Sequence, residues 1–410
     1  MRSAYFVVVL ALTLVLLINM GCGAIVNQPD AMELPASQNP SPDFEHESQK
    51  PPPFSEPETQ PPQNQSPNPE DSETFILIGD KRYSTSLSRL ELSDNSLTNE
   101  DIEPLRHMTN LVALDLGNAE ITDLSPLSNL TTLEELSIFG NNMSDLAQLS
   151  TLVNLKELNL TYTEVTDISG LSTLVNLETL FFFANQFEDI SPLANLTNLT
   201  YLRVREQRIS DISPLCGLTN LETLIMDDCA VRDITPLANL TNLEFLELSN
   251  NGISDISPLS GLANLIQVSL ANNSITSISS LSGFKKLESL YLHGNKIRDI
   301  TPVAGLASLK SLSLGCRGIY CEGEGNLVSD ITPLSDIAGL ERLYLDCNKI
   351  SDISPLSNLG NLVTLDLNNN DIKDISALAD LDSQTELNLS DNKIVDWSPV
   401  AHIEHVLGRP

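Results

Sequence analysis

Basic side chains are scarce in this chain: 22 Lys and Arg stand against 55 Asp and Glu in 410 residues, a formal charge of -33. Nucleic-acid binding needs clustered Lys and Arg, so this balance sets it aside. Apolar runs are short, and the longest, Ala4 to Ile18, falls below the roughly 20 residues that a spanning helix requires. Catalytic signatures are missing too. His402-Ile403-Glu404-His405 is not HExxH, and neither a GxxxxGK[ST] phosphate loop nor a GxSxG elbow occurs. No enzyme activity, metal or cofactor is therefore expected. Aromatics make up only 5% of the residues, with one Trp, which makes their placement informative.

The chain reads as three parts. Residues 1–24 carry Arg2, an apolar stretch and then Gly21-Cys22, which fits an export signal. Gly21-Cys22 resembles the cleavage site of bacterial lipoproteins, although Asn19 stands where that family prefers an aliphatic residue. The resemblance implies lipidation of Cys22 and a membrane-anchored cell-surface protein; ordinary cleavage near Ala24 and an uncleaved anchor are the alternatives. Residues 25–74 turn abruptly to Pro, Gln, Asn, Ser and Glu, including Pro51-Pro52-Pro53, and hold too few apolar side chains to offset the entropy of ordering. Such a segment is expected to be a disordered spacer, averaging roughly 40 Å end to end as a coil.

Residues 75–410 are one repeat array. Taking the first residue of each LxL as position zero, the series runs from Leu90 and Leu114 to Leu365 and Leu387 in fourteen units. The step is 22 residues, except for 24 at the start and 31 between Leu312 and Leu343, which places an insertion near 316–329. Within the eighth unit Leu246 and Leu248 alternate with polar residues, as in a half-buried strand, while Leu259, Leu262 and Leu265 recur every third residue behind Pro258. That second spacing predicts a 3₁₀-like return. No unit has enough apolar surface to fold alone, so successive coils must stack on a shared core and a parallel sheet. An Asn at position +5 recurs from Asn95 to Asn392, with Ala119, Thr163, Gln207, Cys229 and Arg317 as exceptions. Its amide is expected to satisfy backbone groups between coils. A row of twelve Asp, from Asp123 to Asp396, precedes the returns and is expected to accept their first N–H groups rather than to act as catalyst.

The LxLxxNxIxDIxPLxxLxNL unit, the opening IGDKRYSTSLSRLELSDNSLTNEDIEPLRHMTNL and the closing VDWSPVAHIEHVLGRP resemble bacterial leucine-rich repeat proteins of the internalin type. The resemblance implies an α/β solenoid: a right-handed superhelix with a parallel β-sheet on its concave face and short 3₁₀ or helical returns on the convex face. It further implies an exported, non-enzymatic and monomeric recognition module whose concave sheet grips a protein ligand. A wall-sorting motif and an appended immunoglobulin-like domain are not seen in the sequence, so host-cell invasion is not carried over.

On such a solenoid the outward positions are -1, +1, +3 and +4, about a sixth of the array, yet eight of its fifteen aromatics lie there. Six of them, Phe139, Tyr162, Phe181, Phe183, Tyr201 and Phe245, fall in units three to eight together with Arg203, Arg205 and Ile225. Aromatics beside Arg match interface hot spots. The competing explanation is that aromatics suit strands and cover one another across a sheet. Acidic neighbours such as Asp115, Glu157, Asp227 and Glu247 would rim an apolar centre and favour a partner of basic character. Stacking of these rings on a glycan is the second reading, and a passive spacing scaffold the third. Cys316 and Cys347 share position +4 in consecutive units and Cys321 lies in the insertion, so one disulfide among the three is expected. Cys216 and Cys229 are expected to be free thiols. Glu322, Glu324, Asn326 and Asp330 match no calcium-loop spacing, and a solvated loop is the simpler reading.

Overall fold

The computed structural model describes residues 74–316 and 325–410. Cys22, the export signal, the Pro-rich segment and Cys321 lie outside the described residues. An antiparallel hairpin comes first, β1 (Phe75–Ile78) and β2 (Lys81–Ser84), and turns at Gly79, whose φ of +54° suits a residue without Cβ. Then fifteen strands, β3 (Arg89–Glu91) through β17 (Val406–Leu407), form one parallel sheet in strict chain order. Each position-zero residue pairs with its counterpart one coil on, as Leu224, Leu246 and Val268 do. The fourteen expected strands are therefore present in the expected register. The fifteenth comes from the terminal cap, where Val406 pairs with Leu387 without an LxL signature.

Alternation decides which side is buried. Leu246 and Leu248 point inward and are fully buried, as are Leu259, Leu262 and Leu265 of the return. One continuous apolar core runs from Ile78 to Ile403. The return of the eighth unit is a 3₁₀ turn, Ser257–Gly261, with Pro258 in its first turn. The first return differs, beginning as a short α-helix, Asn99–Ile102, which Thr98 and Asp101 close with a capping box.

The +5 amides behave as a ladder. Asn273 donates to the carbonyls of Leu248 and Leu270 and accepts the N–H of Ile253, thereby tying two coils together. Thr163 and Cys229 substitute with shorter reach, bonding Leu160 O and Val204 O. In the eleventh unit the slot belongs to Asn326 and not to Arg317. Asn326 donates to Leu292 O and Leu314 O and accepts from Ile297 N–H, so the insertion enters between positions +4 and +5. Asn326 is thus buried in the ladder and unavailable to a cation. A second Asn ladder, unforeseen from the sequence, uses the Asn of the LxNL segment. Asn154, Asn176, Asn198, Asn220, Asn242 and Asn264 each donate to a carbonyl on the preceding coil, 23 residues back.

All twelve row Asp accept the N–H two residues on, from Ser125 N on Asp123 to Ser398 N on Asp396, at 2.7–3.0 Å. Each stands one residue ahead of the position that caps the turn. These bonds hold several of the carboxyls, among them Asp211, Asp233 and Asp255, below the usual range: a backbone N–H with a Ser hydroxyl at the first and third, the Thr235 hydroxyl and then its N–H at the second. A folded pKa below the unfolded one gives stability that is present above the unfolded value and lost as pH falls through the folded one. Asp115 and Glu157 act in the opposite sense, because burial raises both. Substituting Asp211, Asp233 and Asp255 together by Asn keeps an acceptor but removes the titration. The variant is expected to lose less melting temperature than wild type between about pH 5 and pH 3. Parallel acid limbs in the two thermal melts would refute this role for the row.

Candidate functional site

Two strands of the sheet are longer than the rest. β7 (Thr179–Phe183) and β8 (Tyr201–Arg205) run for five residues, whereas the other strands of this sheet have three or fewer. Phe182 and Val204 are fully buried and extend the inward alternation, which carries Phe183 and Arg205 into register on the outward face. There the Tyr162 ring meets the Phe183 ring edge-on, with centroids 4.8 Å apart. The Arg205 guanidinium lies on the same ring at 5.9 Å. Arg205 is flanked by Asp227 at 3.4 Å and Asp228 at 3.5 Å. A connected line of Tyr162, Phe183, Arg205 and the two carboxylates therefore crosses four coils.

Other expected site residues sit deeper than their outward positions suggest. Phe181 is only 7% exposed and Arg203 only 9%. Phe181 packs on Tyr201 with ring centroids 5.1 Å apart, so neighbouring rings do cover one another across the sheet. The Tyr201 hydroxyl is buried with no hydrogen-bond partner among the described residues, and burial pushes its pKa up to about 12. Burial likewise lowers the pKa of Arg203. Phe139, Ile225 and Phe245 are half-buried at the flanks. The Phe139 ring lies over Gly117, where a Cβ would stand 2.0 Å from it. Of the named residues Tyr162 is the most open, at 50% exposure.

Acidic groups lie to both sides. Toward the first coils Glu135 pairs with Arg89 at 2.6 Å. Glu157 is raised by burial and then by the Glu135 charge, with Arg89 opposing. Toward the later coils Asp227 accepts the Ser249 N–H at 2.7 Å. Cys316 and Cys347 stand on adjacent coils beside Gly325, where an added Cβ would lie 3.2 Å and 3.5 Å from their Cβ atoms. Cys216 is an exposed free thiol, and Cys229 is a free thiol in the ladder whose pKa burial raises to about 11.

The backbone adds a signal that residue type alone does not give. At position +4 the N–H donates to the +3 carbonyl of the next coil, as Tyr162 does to Phe183 O at 2.8 Å, and the residue adopts positive φ. Thirteen units have the positive φ, twelve of them with that hydrogen bond, and nine of the thirteen use Asn, Asp or Gly, which tolerate it. Tyr162, Ala184 and Glu206, at φ of 54°, 52° and 55°, are three of the four departures and occupy consecutive coils. A non-Gly residue there costs about 1–2 kcal/mol unless its side chain is short and polar. The strained run coincides with the aromatic line.

Family models of leucine-rich repeats match residues 83–105, 131–305 in overlapping copies and 338–394. No curated protein matches. Among solved structures, an internalin (InlF) of Listeria monocytogenes is 34% identical over 78% of this chain and 90% of its own, with a TM-score of 0.69. A leucine-rich repeat protein of Leptospira interrogans (20% identity, 76% and 92% covered, TM-score 0.61) and the plant peptide hormone receptor RGFR1, solved in complex with RGF2 (18%, 79% and 62%, 0.61), share the fold. Sheet, returns and repeat unit agree with these matches, and the chain belongs to the leucine-rich repeat family, as an internalin-type member.

Proposed function

We propose that this protein is an exported, non-enzymatic recognition module that holds a protein partner on the outward face of its sheet, centred on Tyr162, Phe183 and Arg205. The leucine-rich repeat fold is a scaffold for protein recognition, and the observation that carries the reading here is the aromatic line laid over a strained +4 run. Backbone strain persists where something over-determines it, and such strain clusters at binding sites. The three residues stack and pair with one another, so the surface is pre-organised and loses little side-chain freedom on association. Cys22 and the Pro-rich segment would tether the array and hold it away from the bilayer, and a bridge from Cys316 to Cys321 or to Cys347 would pin the base of the inserted loop.

Capture from the producer's envelope and its surroundings tests the reading, with the full chain and a Tyr162→Ser, Phe183→Ser variant immobilised side by side. These two positions are chosen over Phe181 and Arg203, because substitutions at nine-tenths buried sites would report stability. A protein retained by wild type and lost by the folded variant is the expected result, with a loss of at least about a hundredfold in affinity if both rings are hot spots of about 2 kcal/mol or more. Equal capture by both would leave the scaffold reading, and capture abolished by soluble glycans would favour the sugar-stacking one.

A further inference from the structure

The +4 row is uneven where it crosses the aromatic line. Ala184 presents only a methyl group, while its neighbours on either side carry the Tyr162 ring and the Glu206 carboxylate. With coils about 4.8 Å apart, the two flanking Cα atoms stand roughly 10 Å from each other, leaving a gap one side chain wide. Tyr162 is half exposed, and Glu206 is exposed and forms no ion pair among the described residues. We propose that the gap above Ala184, between the Tyr162 ring and the Glu206 carboxylate, seats a single Lys or Arg side chain of the protein partner. The inference rests on the reading of this face as the recognition surface and names the chemistry that the surface selects.

Three observations support a cation here. An aromatic ring and a carboxylate outside any ion pair, on the coils either side of Ala184, are the two groups that hold an ammonium or guanidinium, the first within about 6 Å of the ring centroid. The surrounding field has the right sign: the outward positions of the array carry thirteen acidic residues and four Arg. Nearby Arg residues do not reverse it, because Arg205 is flanked by Asp227 and Asp228 and Arg203 is nine-tenths buried. The Glu206 charge also reaches the Tyr162 hydroxyl, whose pKa is raised first by burial and then by that carboxylate, with Arg203 and Arg205 opposing. An anionic partner group would find Arg205 already paired and would face the acidic flanks. Strain gives a further reason for these residues: Asn at 162, as at four other coils, would relax the backbone but delete the aromatic wall.

Short random peptides displayed on phage and panned against the full chain supply the probe. Recovered peptides are then titrated against wild type, Glu206→Gln, Tyr162→Asn and Phe183→Ser. Enrichment in Lys and Arg is expected, with affinity that falls as salt rises and drops at least about tenfold on Glu206→Gln, a change that removes charge at nearly constant shape. Tyr162→Asn should lower affinity while raising the melting temperature, a split that a merely structural Tyr would not show. Peptides that depend on Phe183 yet ignore Glu206→Gln would overturn the cation seat and leave the recognition face standing. Peptides indifferent to Phe183→Ser, or recovery of none, would overturn both.

Discussion

Replacing Leu248 by Asp is expected to collapse the centre of the array, lowering stability by more than about 4 kcal/mol. Leu248 is fully buried at position +2 of the eighth coil, and its N–H is already committed to Ser269 O at 2.8 Å. A carboxylate there has no cation to pair with, and protonating it requires a raised pKa that itself costs stability. Because each coil is stabilised by its neighbours, the damage spreads to coils on both sides. The matched control is Glu247→Ala. Glu247 is one residue away on the outward, half-exposed side of the same strand, and the change should stay within about 0.5 kcal/mol. Circular dichroism melts of both variants decide the register. If Leu248→Asp overlaid wild type, or if Glu247→Ala were the damaging one, the inward face would be misassigned.

The fold was largely legible because a repeat states the same rule many times. Leu246 and Leu248 alone are ambiguous between a strand and an apolar helix segment, but the same pair at a fixed 22-residue step leaves only stacked strands in register. Chain ends broke the rule. The hairpin Phe75–Ser84 and the strand Val406–Leu407 lack the LxL pattern, since a cap has one neighbouring coil and need not repeat the consensus on its other side. The insertion hid a register change as well. Counting five residues from Leu312 arrives at Arg317, while the backbone needs an amide where the coil re-forms, at Asn326.

The site was legible only in outline. Position in the repeat placed Phe181 and Arg203 on the outward face, but it could not tell that Tyr201 covers Phe181 or that both outward positions are nearly closed. Side-chain cover depends on neighbours in three coils, and a one-dimensional register does not contain it. The most exposed ring, Tyr162, is informative for another reason. Its +4 position demands a left-handed backbone, and the row of Asn, Asp and Gly at that slot was visible in the sequence as the signal that could have shown Tyr162, Ala184 and Glu206 to be exceptions.

Asn295→Ala should be the second most damaging of these changes, at about 2–3 kcal/mol. The side chain is 1% exposed; it donates to Leu270 O and Leu292 O at 2.9 and 3.0 Å and accepts the Ile275 N–H at 2.9 Å. The two carbonyls have a second donor each, because Asn273 also reaches Leu270 O and Asn326 also reaches Leu292 O. Truncation therefore orphans one group, the buried N–H of Ile275, and opens a small cavity beside it. That redundancy explains how Thr163 and Cys229 can occupy the same slot in other coils, and it limits the cost to one unsatisfied backbone group rather than three. Asn295→Asp provides the check, since it keeps the acceptor for Ile275 but points an oxygen at the two carbonyls. The Asp variant is expected to melt far below wild type at neutral pH, where a buried carboxylate faces two carbonyls, and closer to it at low pH, where the protonated carboxyl both donates and accepts. Equal losses for Ala and Asp at both extremes would refute this role for the amide.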